Sequence, residues 1–130
     1  MIIYNSIGYL SNVFITDLSM NTMDLSMNNM DLSMNIITET ETLLRIIDNN
    51  LAKYHATKSG ILTFLLYYKS KEDFNYIFNV CELWKPRNLR IQYIGNVILQ
   101  NNANIMVSLT TNVPKLHTGT YNDNGVNFVI

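Results

Sequence analysis

Two histidines, one cysteine and one basic–aromatic cluster are the residues of this chain whose types could do chemistry. His55 and His117, with Lys115 close to the second, are of the kind that cleave RNA without a cofactor. One imidazole takes the proton of a 2′-hydroxyl, the other protonates the leaving oxygen, and an ammonium steadies the phosphorane. Spacing alone does not bring the pair together, and a helix-end and a loop histidine are ordinarily surface residues. Cys81 falls on one apolar stripe with Phe74, Ile77 and Phe78, so it reads as a core thiol rather than a nucleophile. There is no Gly-rich phosphate loop, no nucleophile elbow and no metal-spaced His/Asp cluster, so neither a metal nor a cofactor is expected. The cluster runs from Trp84 to Tyr93, WKPRNLRIQY. Lys85, Arg87 and Arg90 would meet phosphates there, beside two rings able to stack on a base.

The elements that must position these groups follow from periodicity. Ile7, Leu10, Val13, Phe14 and Leu18 fall at helical spacing, with Asn5 or Ser6 as a cap, which predicts a first helix over residues 7–18. A repeat follows, DLSMNTM, DLSMNNM and DLSMNII from Asp17, Asp24 and Asp31. Its period is seven, yet its Leu and Met positions lie on opposite sides of a helix, so it makes no coiled-coil seam. It reads as an inserted loop or ribbon over 17–37. Thr38 and Glu41 have the spacing of a capping box, and Leu43, Ile47, Leu51 and Tyr54 predict a helix over about 39–55. The unbroken apolar run Ile61–Tyr68 predicts a buried strand. Phe74, Ile77, Phe78 and Cys81 predict a helix that stops before Pro86. Strands are expected around 89–93, 97–99 and 105–109, and Asn122-Asp123-Asn124-Gly125 marks a hairpin near the end.

The expected fold class is α+β: an N-terminal helix/strand subdomain (1–69, with the repeat inserted at 17–37) packed on a C-terminal, mostly antiparallel β subdomain with a short helix (70–130). At 130 residues and 48% hydrophobic, the chain can bury a real core, and no apolar run is long enough to span a bilayer. Formal charge is −1, but it is unevenly spread: residues 1–44 carry five acids and no Lys or Arg, whereas the remainder carries nine cations against five acids. Cys81 stands alone, which excludes an internal disulfide framework. Heavy use of Asn, Ile, Tyr and Met points to an AT-rich gene. The start, MIIYNS, has neither a signal-peptide nor a transit-peptide pattern.

Several segments taken in order resemble ribosomal protein eight of the small subunit: Leu65-Leu66-Tyr67-Tyr68, then Ile77-Phe78-Asn79-Val80, then Lys85-Pro86 with Leu89-Arg90-Ile91-Gln92-Tyr93. The strand Ile105 to Leu109 running into Thr110-Thr111-Asn112-Val113, and a closing strand Val126–Ile130, continue the likeness. The signature loop departs from that family in having Asn112 and Val113 where Lys and Gly are usual. The resemblance implies a non-catalytic component of the small ribosomal subunit, bound to central-domain rRNA and to neighbouring ribosomal proteins and not to a membrane. With the AT-rich composition it implies a mitochondrial, organelle-encoded ribosome. It further implies RNA contacts from Ser108, Thr110, Thr111, Asn112, Asn124 and Gly125 beside Lys85, Arg87 and Arg90. Two other readings remain open: a viral or phage interaction protein that forms a homo-oligomer, and a small ribonuclease using His55 and His117.

Overall fold

The computed structural model describes residues 1–15 and 32–114, with side chains from residue 36 in the second stretch. Five strands form one mixed sheet: β1 (Ile2–Tyr4), β2 (Ile7–Val13), β3 (Ile61–Tyr68), β4 (Gln92–Ile94) and β5 (Ile105–Asn112), in the spatial order β1-β2-β5-β3-β4. Two helices, α1 (Leu32–Lys53) and α2 (Phe74–Trp84), pack on one face of it. The architecture is α+β, as expected. Strands from both halves of the sequence meet in the sheet, because β5 lies between β2 and β3.

The predicted first helix is a strand. Asn5 (φ 52°) and Ser6 (φ 64°) are both left-handed and join Tyr4 to its partner Ile7, which is a two-residue hairpin rather than a helix cap. With β1 on one side and β5 on the other, every second side chain of β2 has somewhere to go, and pairing overrides the helical spacing. A bulge follows at Asn12 (φ 57°), whose backbone N–H donates to Ser108 Oγ at 3.0 Å.

Helix α1 starts at Leu32, seven residues before the expected boundary, so the last repeat unit is largely helical and Thr38 sits inside the helix instead of capping it. Leu43, Leu44, Ile47 and Leu51 form its buried face, as the four-residue steps predict. The first two repeat units, and the expected hairpin around Asn122–Gly125, lie outside the described residues. Strand β3 and helix α2 match their predicted ranges, and β3–α2–β4 is a parallel crossover unit. No strand forms at 97–99; a short 3-10 turn at Gln100–Asn102 precedes β5, and Asn96, Asn101 and Asn102 all adopt the left-handed backbone that Asn tolerates.

The core lies between helices and sheet. Leu43, Ile47, Ile77 and Cys81 face Phe64, Leu66, Val107 and Leu109, all essentially without solvent contact. Among the described residues, no helix is long and apolar enough to cross a membrane.

Candidate functional site

Alternation along the strands divides the sheet into two unlike faces. Register places Ile2 and Tyr4 (β1), Ile7 and Tyr9 (β2), Met106, Ser108 and Thr110 (β5), Thr63, Leu65 and Tyr67 (β3), and Gln92 and Ile94 (β4) on the face away from the helices. These side chains are partly or fully exposed. None is charged, and no described residue covers them. The hydroxyls of Thr63 and Thr110, on paired strands, lie 2.7 Å apart and satisfy each other.

A second surface forms where both helices end. The chain leaves α1 at Lys53, passes His55 (φ 61°) and Lys58, and enters β3; it leaves α2 at Trp84 and turns through Lys85, Arg87 and Arg90. Two contacts hold these segments together. Lys58 Nζ donates to the Trp84 carbonyl at 2.6 Å and lies over the indole at 4.9 Å, and Asn88 Nδ2 donates to the Ser59 carbonyl at 3.4 Å. Trp84 Nε1 donates to Asp48 Oδ2 at 3.0 Å, tying α2 to α1. Five of the eight Lys and Arg among the described residues therefore gather at this end, with His55 exposed among them.

Between the helices runs a shallow groove of about 330 Å³ lined by Leu44, Val80, Leu83, Trp84, Glu41, Arg45 and Asp48. Glu39 and Cys81 are titratable groups buried inside the fold. Glu39, only 2% exposed, accepts from Asn104 Nδ2 at 2.7 Å and from the Asn104 backbone N–H at 3.3 Å. Burial holds its carboxyl above the usual range, against the lowering effect of those bonds. Cys81 is fully buried, and burial pushes its thiol up to about 12. At about pH 8 its thiolate is then roughly a thousandfold scarcer than that of an exposed cysteine. Iodoacetamide labelling of the native chain is accordingly expected to be slow and to follow unfolding; labelling at the rate of a free thiol would show an open site. Among the described residues no three His, Cys, Asp or Glu side chains come together as metal ligands.

The structure separates the residues that sequence grouped as one RNA-binding face. Arg87 and Arg90 are exposed at the helix-terminal end, and Lys85 there is half-buried, 3.8 Å from Glu82. Ser108 and Thr110 lie on the uncharged sheet face, whereas Thr111 is fully buried on the helix side. Asn112 ends β5 beside Gly60, at the same end of the sheet as the basic turn. Asn124, Gly125, Lys115 and His117 lie outside the described residues. Glu39 was missed because its partner is 65 positions away and its own segment, TETET, reads as a solvated first turn.

No protein-family model matches the sequence, and no curated protein sequence matches it. Solved structures do match the fold. A candidate translation initiation inhibitor from Salmonella typhimurium superposes with a TM-score of 0.66 at 18% identity, covering 85% of each chain. A member of the YjgF protein family from Neisseria meningitidis gives 0.64 at 15% identity, covering 86% of this chain and 83% of that one. A candidate endoribonuclease from Klebsiella pneumoniae gives 0.61 at 14% identity, covering 86% of this chain and 98% of that one.

These matches overturn the likeness to ribosomal protein eight. Among the described residues, the segments that carried it are ordinary strands, a helix stripe and a turn, whose local patterns do not specify which strand neighbours which. The fold as a whole does, and it superposes on YjgF-type structures with a TM-score of 0.64. With that likeness go its consequences: rRNA and ribosomal proteins as partners, a place in a mitochondrial ribosome, and a role without catalysis. The structures of like fold include candidate endoribonucleases from K. pneumoniae and Entamoeba histolytica.

Proposed function

We propose that the chain is a self-associating protein that acts on RNA by cleaving it. The observation that carries this reading is the agreement of fold, over 85% or more of this chain, with structures described as a candidate translation initiation inhibitor and a candidate endoribonuclease. Cleavage of RNA by internal transfer needs no cofactor. A base takes the 2′-hydroxyl proton, the oxygen attacks the adjacent phosphorus, and the 5′-oxygen leaves with a proton from an acid. His55 stands exposed among cations that favour phosphate, which supports a place for it in that chemistry. The test is incubation of the purified chain with single-stranded RNA: internal cleavage is expected, and loss of it in His55→Ala or His117→Ala with folding retained supports the imidazole mechanism. Intact RNA after prolonged incubation with folded protein would remove the reading.

Self-association rests on the uncharged sheet face. Its tyrosine rings, Leu65 and Met106 are apolar surface suited to burial, the Thr63 and Thr110 hydroxyls already satisfy each other, and a second copy presents the same surface. Placing a charge in its middle, Thr110→Lys, is expected to turn an oligomer into a monomer in light-scattering chromatography while the circular dichroism spectrum is retained. A wild-type chain that is monomeric at high concentration would exclude this arrangement.

A further inference from the structure

The end of the molecule where both helices finish carries a charge pattern that helix chemistry only partly explains. Helix C-termini favour cations, because their last carbonyls are unpaired and the dipole is negative there. That accounts for Lys53 in the last turn of α1 and for Lys58, whose ammonium is spent on the Trp84 carbonyl. Lys85 is paired with Glu82. Arg87 and Arg90 are not explained this way. They lie beyond the helix, in the turn and the approach to β4, are exposed, and have no carboxylate partner among the described residues. The turn is nevertheless fixed: Leu89 between them is buried in the core, its N–H donates to the Pro86 carbonyl at 3.1 Å, and Asn88 ties to Ser59.

We infer that Arg87 and Arg90, on this anchored turn at the same end of the molecule as Lys53, Lys58 and His55, form the seat for the phosphate backbone of single-stranded RNA. The inference rests on the RNA reading above and adds where the strand is held. Two guanidiniums on a rigid turn lose less freedom on binding a phosphate than they would on a mobile loop, and each offers a planar fork to it. The contacts are to backbone, so binding is sequence-tolerant and falls with salt. The uncharged sheet face offers no such contact, which separates the surface for RNA from the surface for a second copy.

The test uses the full chain and a fluorescein-labelled mixed-sequence RNA, titrated between about 50 and about 200 mM salt. Wild type is expected to bind with a steep salt dependence. The double variant Arg87→Ala/Arg90→Ala is expected to bind at least about tenfold more weakly, with a log–log salt slope lower by about two. Lys69→Ala/Lys71→Ala, at the far end of β3, is expected to keep the wild-type slope. Both arginines are exposed, so the thermal melt of the double variant should be unchanged. Salt-dependent binding unaltered in the double variant would overturn the seat and leave the RNA reading standing. No binding by folded wild type would overturn both. Binding to phosphatidylserine vesicles, lost in the double variant and stronger than binding to RNA, would assign the turn to anionic lipid instead.

Discussion

Phe64→Ala is expected to lower stability by about 3–5 kcal/mol, the largest effect of any single truncation considered for this chain. Phe64 lies on the helix face of β3, 1% exposed, with its ring centroid 5.6 Å from that of Trp84. Its loss removes a whole ring from water-free packing and leaves a cavity at the junction of α1, α2 and the sheet. The neighbours cannot close it cheaply, because Leu43, Ile47, Leu66 and Val107 are already buried. Domains of this size hold about 5–15 kcal/mol in total, so the variant should retain its fold but melt markedly earlier. Urea denaturation measures it. A change below about 1 kcal/mol would mean that the site repacks or that Phe64 is not central.

Glu39→Ala should follow, with a loss of about 1–3 kcal/mol, since it strands the part-buried donors of Asn104 and frees the start of β5 from α1. Glu39→Gln behaves differently. Burial raises the Glu39 pKa above its ordinary 4.5, so folding takes up a proton on this group. Its contribution is full below that value and is lost as pH rises through the raised folded pKa. Wild type should therefore lose stability from about pH 4.5 upward until the carboxyl has ionised, and Glu39→Gln, which keeps an acceptor for Asn104, should not. Above that window the Gln variant is expected to equal or exceed wild type. Parallel pH profiles in wild type and Gln variant would show that Glu39 is ionised freely in the native state.

Where local pattern was sufficient, sequence and structure agree. Strand β3 announces itself by eight residues between Gly60 and Lys69 that are apolar at every position but Thr63, and helix α2 by its stripe and by Pro86. Residues 7–13 failed because their spacing fits helix and strand alike, and the deciding fact, that β5 arrives from nearly a hundred positions away to pair with them, is not local. The expected RNA-binding set is divided between surfaces for a related reason. Thr110 and Thr111 are adjacent in sequence, but a strand sends them to opposite faces, one to the open sheet and one beneath the helices. The basic turn needed no long-range knowledge, since Pro86 ends a helix and the arginines that follow it are exposed. Resemblance drawn from ordered segments carried the wrong topology because order along the chain does not fix order across a sheet.

Trp84 is the chain's single tryptophan, and it lies where the two helices, β3 and the basic turn converge. Its emission is thus an internal gauge for two separate events. Unfolding removes Phe64 and Asp48 from the indole and should shift the spectrum, whereas RNA arriving at Arg87 and Arg90 should change intensity by disturbing the Lys58 ammonium above the ring. Seating and stability can then be followed optically on the unmodified chain.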